Sequence, residues 1–325
     1  MIAGIELGLI YAIMALGVYL TFRVLDFPDL TVDQSFTSGA ATAAMVILNG
    51  GSPWLATAVG FVAGGLAGLI TALLHTKARI NGLLAGILTM TALYSVNLRL
   101  MGGKANLALL REDTVFTPLR EMGLQATVGG VLLLLVGVLV VKVLLDWFLY
   151  TDAGLAMQAT GDNPEMIRSF GVNTDGQKIL GLCLSNALVG LAGALIAQYQ
   201  GFADIGMGIG MIVVGLASVI LGQGIFGTRT VVVATLAVVL GSVLYRLVIT
   251  VALQAGLNPS DMKLISAVLV VIALVLPQLS VFKRWKRRRT LKAAQEVQAD
   301  VGATTEHPVT AAIGTVDAVD ARKGV

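Results

Sequence analysis

The chain has 325 residues, of which 56% are hydrophobic and 13% are charged, and its mean hydropathy is +0.86. Soluble domains average about 25% charged residues, so this composition excludes an ordinary soluble domain and predicts a polytopic membrane protein. The formal net charge is only +3, yet seven basic residues lie between Lys283 and Lys292. One cysteine and two histidines exclude a disulfide framework and leave no His/Cys cluster for a metal.

Nine apolar segments follow one another along residues 1–282, and most have the roughly 20 residues that a helix needs to cross the bilayer core. Segments 31–49 and 209–226 are short and rich in Gly, Ser and Thr, so we expect them to be broken or re-entrant. The sequence therefore predicts an all-α, polytopic transmembrane helical bundle with about 8–9 membrane segments. The segments are 2–22, 31–49, 54–75, 80–101, 126–149, 179–200, 209–226, 231–253 and 262–282.

Basic residues predict the orientation of the bundle. The cluster Lys283–Lys292 and the short loop 75–79 are expected in the cytoplasm, because cytoplasmic loops carry the excess of Lys and Arg. Counting crossings back from the C-terminus places loop 150–178 in the cytoplasm and loop 102–125 outside. The N-terminal side stays open, since one re-entrant segment would reverse it. We expect 1–282 to be the transmembrane domain and 283–325 a basic, then disordered, cytoplasmic tail without nucleic-acid binding.

The polar stretch 150–178 contains the signals of a short helix. Asn163 is a preferred N-cap residue, Pro164 suits the first helical position, and Glu165 places an acid in the first turn. Gly171 suits the position that ends the helix, so we predict a helix over about 164–170. So short a helix is not stable alone in water, and it must pack on the membrane surface or on a soluble partner. Its apolar side chains are Met166, Ile167 and Phe170.

The stretch AlaThrGlyAspAsnProGluMetIleArgSerPheGlyValAsn (159–173) resembles the cytoplasmic loop of ABC importer permeases that serve branched-chain amino acids, ribose and nucleosides. A small-residue run that ends at 190–193 follows it, and the resemblance extends over most of 1–282. In that family the loop holds a coupling helix, which inserts into a groove of the ATP-hydrolysing subunit. The residues that the resemblance assigns to ATPase coupling are Gly161, Asp162, Asn163, Pro164, Glu165, Met166, Ile167, Arg168, Phe170 and Gly171.

The resemblance implies a permease subunit of an ATP-driven importer in the cell membrane. Its implied partners are an ATP-binding subunit, an extracytoplasmic substrate-binding protein, a second permease copy and the lipid bilayer. The chain has no phosphate-binding loop of the Gly-x-x-x-x-Gly-Lys-Ser/Thr type and no catalytic constellation, so we expect neither an enzyme nor a bound cofactor. An ion-coupled secondary transporter that uses Asp29, Asp33 or Arg246 is the alternative function.

The first polar interruption, 26–36, lies beside the membrane and carries three carboxylates. Pro28 interrupts the helix, so Asp29 or Thr31 could cap the next one; alternatively, the stretch forms a polar wall of the permeation path. It resembles a predicted amino-acid permease subgroup, some members of which are linked to aromatic amino acids, although Gln34 stands where the subgroup commonly has Gly.

A zwitterionic amino acid needs a carboxylate for its ammonium group, which Asp33 could supply, and donors for its own carboxylate at a helix N-terminus. Asn and Ser inside the spans could equally form hydrogen bonds between helices. The predicted substrate path is Asp29, Thr31, Asp33, Ser35, Asn97 and Asn186.

Overall fold

The structure is a computed structural model that describes residues 1–255, 264, 266–268 and 270–271. The predicted tail and most of the ninth apolar segment lie outside the described residues. Those described form eleven α-helices, one π-helical turn and one two-stranded sheet. In chain order these are α1 (Ile2–Tyr19), the π-helical turn (Leu20–Val24), α2 (Val32–Leu48), α3 (Pro53–Thr76), α4 (Gly82–Leu100), β1 (Asn106–Ala108), α5 (Thr117–Glu121), α6 (Val128–Leu149), α7 (Asp152–Asp162), α8 (Pro164–Ser169), α9 (Thr174–Gln200), β2 (Phe202–Asp204), α10 (Met211–Phe226) and α11 (Val231–Gln254).

Six helices are long and apolar enough to cross a membrane: α1 with its π-helical turn, α3, α4, α6, α9 and α11. The two segments expected to be broken or re-entrant are unbroken short helices, since α2 has 17 residues and α10 has 16. Each is short because non-helical chain precedes it. Asp26 has φ +50° and Pro28 follows it before α2, and Gly210 has φ +89° immediately before α10.

Helix α9 lies at the centre of the bundle and packs against α1, α2 and α3. The α3–α9 contact is close because both helices carry glycine: a Cβ on Gly64 would overlap the carbonyl oxygen of Asn186, and one on Gly68 would overlap that of Leu182. Helix α1 approaches α11 in the same way, and the Ser242 hydroxyl donates to the Gly8 carbonyl at 2.9 Å. Interhelical contacts of small residues therefore hold the core together.

The polar loops contain more regular structure than the sequence indicated. Loop 150–178 holds the additional helix α7, whose N-cap Thr151 accepts from the backbone N–H of Gly154 at 3.3 Å. Helix α9 begins earlier than predicted, because Asn173 accepts from Gly176 N–H at 3.1 Å and starts it at Thr174. Strands β1 and β2 pair antiparallel, a small addition to the all-α prediction, since three-residue strands carry no readable periodicity.

Candidate functional site

The predicted substrate-path residues at the start of α2 form a buried hydrogen-bond network with α9. The Asn186 side-chain amide donates to Asp29 Oδ2 at 2.6 Å and accepts from the Ser35 hydroxyl at 2.7 Å. The other oxygen of Asp29 accepts from the backbone N–H of Thr31 at 2.9 Å. The Thr31 hydroxyl lies 2.6 Å from that of Thr71 on α3, a residue that sequence analysis did not single out. The network thus joins α2, α3 and α9.

Asn97 forms a second buried network on the α4 side of α2. The Ser38 hydroxyl donates to Asn97 Oδ1 at 2.8 Å, and Asn97 Nδ2 donates to Gln34 Oε1 at 3.1 Å. Asn97, Asn186 and Ser35 are all inaccessible to solvent. In this conformation Asn186 and Asn97 both form hydrogen bonds between helices, the first to Asp29 and Ser35 and the second to Ser38 and Gln34.

Asp33, the predicted acceptor for a substrate ammonium group, caps the N-terminus of α10 in this structure. Its Oδ2 accepts from the backbone N–H of Gly210 at 2.8 Å, and its Oδ1 accepts from that of Ile212, also at 2.8 Å. Gly210, the N-cap residue of α10, has no side chain of its own to accept these bonds. The carboxylate therefore holds the N-terminus of α10 against α2 and complements its dipole. Thr31 occupies the N-cap position of α2 without a side-chain cap bond, while Asp29 accepts the Thr31 N–H.

The helix predicted over 164–170 is present as α8, and its caps are as expected. The Asn163 side chain accepts from Met166 N–H at 3.0 Å, with Pro164 at the start of the helix. At the other end Gly171 has φ +86°, and the next residue, Val172, donates its N–H to the Ile167 carbonyl at 3.3 Å. These bonds satisfy the terminal backbone groups within the chain. A six-residue helix thus stays formed while none of its residues is buried.

One side chain connects α8 to the central helix. The Arg168 guanidinium donates to the hydroxyl of buried Thr174 at 2.8 Å and lies 3.6 Å from the Asp175 carboxylate. Both acceptors belong to the first turn of α9, which further along carries Asn186. The predicted coupling helix and the predicted substrate path are therefore attached to the same rigid element.

Buried charges occur at positions that sequence analysis did not identify as functional. Glu6 on α1 is fully buried and accepts from the Tyr199 hydroxyl at 2.6 Å and from the Ala126 N–H at 3.0 Å. Lys142 and Asp146 form a buried ion pair one turn apart on α6, and Asp146 also accepts from the Thr235 hydroxyl of α11 at 2.6 Å. The sequence did contain a signal for the second pair, because Lys142 and Asp146 are opposite charges four residues apart within an apolar run.

Arg246, named for the alternative ion-coupled function, lies over the ring of buried Tyr11, 5.1 Å from its centroid. This cation–π contact gives the charge a partner on α1.

Long apolar helices around buried polar networks, with an exposed capped helix in a polar loop, are typical of a polytopic membrane protein. The family model described as branched-chain amino acid transport system / permease component matches residues 1–275. The chain belongs to this family. It is the membrane-spanning permease subunit of an ABC importer and is not an enzyme.

Three relatives illustrate the family match. The tyrosine transport system permease protein of Clostridioides difficile (strain R20291) is 42% identical over 84% of this chain and 90% of its own length. An uncharacterized protein, RP368, of Rickettsia prowazekii (strain Madrid E) is 34% identical over 84% of this chain and 96% of its own. The autoinducer 2 import system permease protein LsrC of Yersinia pseudotuberculosis (serotype O:3, strain YPIII) is 27% identical over 77% of this chain and 70% of its own.

Proposed function

We propose that this permease imports an amino acid, with tyrosine and other aromatic amino acids as the first candidates. The observation that carries the proposal is the 42% identity to a tyrosine transport system permease, which extends over 84% of this chain. In the proposed assembly two permease copies act with two ATP-binding subunits and an extracytoplasmic substrate-binding protein. The chain supplies the path through the membrane, and the other subunits supply ATP hydrolysis and substrate capture.

Helix α8 is the proposed contact with the ATP-binding subunit. Phe170 is 73% exposed and Met166 is 54% exposed, so the helix offers apolar surface outside the bundle. An apolar groove on the ATPase would remove this surface from water, and each buried side chain of this size would contribute about 1.5–3 kcal/mol. Movement of α8 would pass through Arg168 to Thr174 and Asp175, and so to α9. The coupling set is the one predicted, Gly161 to Arg168 with Phe170 and Gly171.

In the proposed topology eight segments cross the membrane within the described residues: the six long helices, plus α2 and α10 with the chain before each. An even number returns the chain to the side on which it began. The neighbouring ends of α1 and α11 support this count, because a Cβ on Gly4 would lie 2.5 Å from the Thr250 hydroxyl. With loop 150–178 in the cytoplasm, the N-terminus lies outside, and the ninth predicted segment brings the C-terminal tail into the cytoplasm.

The proposed substrate path runs along the α2 networks. Asp29, Thr31, Ser35 and Asn186 carry the polar groups that an amino acid requires, but they are buried and bonded to one another. Substrate can reach them only if α2 and α9 separate. Rocking of α9, driven by α8, would exchange bonds within the protein for bonds to substrate. Asn97 would remain on the α4 side, and Asp33 would keep α10 attached to α2.

The substitution Phe170→Asp tests this function, with Met122→Asp as the matched control. Met122 is 71% exposed but lies in loop 102–125, far from α8 in sequence. A carboxylate placed in an apolar groove without a partner costs several kcal/mol, so Phe170→Asp should abolish co-purification of the ATPase and tyrosine uptake. Met122→Asp should retain the ATPase. If Phe170→Asp binds the ATPase as well as the unsubstituted permease does, docking through α8 is refuted. If the unsubstituted transporter assembles but does not take up tyrosine, the proposed substrate is refuted instead.

A further inference from the structure

The exposed surface of α4 differs from that of α3 and α6. The exposed residues of α3 and α6 include no hydroxyl, amide or charged side chain. On α4 the exposed surface is apolar in the first half, at Leu84 and Leu88, whereas in the second half polar side chains are exposed beside Val96 and Leu100. The helix as a whole is the least apolar of the six candidate spans, and α6 is the most apolar. We call its exposed polar residues the α4 polar face: Thr91, Tyr94, Ser95 and Arg99.

The α4 polar face forms a continuous stripe. Thr91, Ser95 and Arg99 are spaced four residues apart and are neighbours on one side of the helix, with Tyr94 beside them. The opposite side of the helix is buried, where Asn97 bonds to Gln34 of α2. The stripe therefore points away from the bundle, and its side chains begin at the middle of the 19-residue helix.

Lipid is a poor environment for these groups. The Thr91 hydroxyl donates to the Ile87 carbonyl at 2.8 Å, which makes it tolerable in lipid. Tyr94, Ser95 and Arg99 have no side-chain hydrogen bond or ion pair to any residue that the structure describes. Arg99 lies in the last turn of α4, where its side chain can reach the membrane interface, whereas Tyr94 and Ser95 lie further from the helix end. The described residues of the last apolar segment lie near α11, since Ser266 bonds to Tyr245 and Val270 packs near it.

We propose that the α4 polar face lines a second, water-filled part of the translocation path, outside the α2 networks, and that Arg99 contacts the carboxylate of the amino-acid substrate there. A guanidinium presents a planar set of donors that matches a carboxylate, and Ser95 one turn earlier adds a hydroxyl. The lining follows from the surface of α4 alone, whereas the role of Arg99 rests on the proposed amino-acid substrate.

Cysteine accessibility tests the lining without reference to any substrate. Ser95→Cys and Thr91→Cys are made in a Cys183→Ser background, with Val136→Cys and Val140→Cys on the exposed side of α6 as controls. The assembled transporter in proteoliposomes is treated with a charged, membrane-impermeant thiol reagent, with and without ATP. We expect modification of both α4 variants in at least one state and none of the α6 variants. Protection of the α4 variants equal to that of the α6 variants, in both the presence and the absence of ATP, would overturn the lining.

Uptake of L-tyrosine tests Arg99, with Lys104→Gln as the control because Lys104 is exposed just beyond the same helix. Because the extracytoplasmic protein captures the substrate, loss of one charge-assisted contact in the path predicts that Arg99→Gln lowers the maximal rate of tyrosine uptake by about tenfold and leaves the half-saturating concentration unchanged. Arg99→Lys should recover only part of this loss, because an ammonium cannot bind a carboxylate through a planar fork. Native uptake by Arg99→Lys would instead identify a membrane-interface anchor. If Ser95→Cys is modified but the unsubstituted transporter does not take up tyrosine, the α4 polar face still lines the path and the proposed substrate is wrong.

Discussion

The cap that Asp33 provides for α10 makes a specific prediction for Asp33→Asn. Its two carboxylate oxygens accept from Gly210 and Ile212, each at 2.8 Å. Asn has one oxygen and one amide nitrogen, so in either orientation a backbone N–H faces another donor. An ordinary N-cap tolerates this exchange, because only one oxygen accepts there. Here the geometry requires two acceptors.

The loss of unfolding free energy can be estimated from these two hydrogen bonds. Asp33→Asn removes one charge-assisted hydrogen bond, worth about 1.5–3 kcal/mol, and it also removes the negative charge at the helix N-terminus. We therefore expect a loss of about 2 kcal/mol, equivalent to a fall of about 4–8 °C in the apparent melting temperature. Asp33→Ala removes both acceptors and should cost more.

Thermal unfolding of the purified permease in detergent measures this effect, together with uptake in proteoliposomes. Asp113→Asn is the control, because Asp113 is exposed and its substitution should change stability by less than about 0.5 kcal/mol. An unchanged melting temperature for Asp33→Asn would refute the two-acceptor cap. If uptake falls while stability stays native, Asp33 acts in the substrate path instead.

Two further predictions concern a buried charge and the topology. Lys142→Met leaves Asp146 without its ion-pair partner and should destabilise the permease by about 3–5 kcal/mol, whereas Lys142→Met with Asp146→Asn should recover most of this loss. Equal melting temperatures for the single and the double variant would contradict that account. In the Cys183→Ser background, a cysteine substituted for Ser169 should react with an impermeant thiol reagent only from the cytoplasm, and one for Glu112 only from outside. Reaction of both from the same side would disprove the proposed orientation.

The sequence determined the class of protein and the local helix signals. Long apolar runs must be helical in a membrane, because unpaired backbone groups cannot be left in lipid, and six such helices are present. The caps of α8 were readable because Asn163, Pro164 and Gly171 act within a few residues of one another. The motif at 159–173 identified the family because it is local and contiguous.

The tertiary structure alone decided which polar groups meet. Asp33 and the α10 backbone N–H that it caps are 177 and 179 residues apart, and Asn186 is 157 residues from Asp29. No periodicity in either segment indicates such a pair. Sequence analysis missed helix α7 and the early start of α9 because it set the bounds of the loop by where the apolar runs end. Both helices begin inside the polar loop, at N-cap residues whose side chains accept backbone hydrogen bonds.

The polar side of α4 also required the structure. The sequence shows Thr91, Asn97 and Arg99 within one apolar run, without indicating that Asn97 points into the bundle and Arg99 out of it. Composition fixes how many polar groups a span contains, and helix packing fixes which of them are buried. The physical reason is that the protein interior and the lipid are nearly equally apolar, so hydropathy alone cannot distinguish the two sides of a membrane helix.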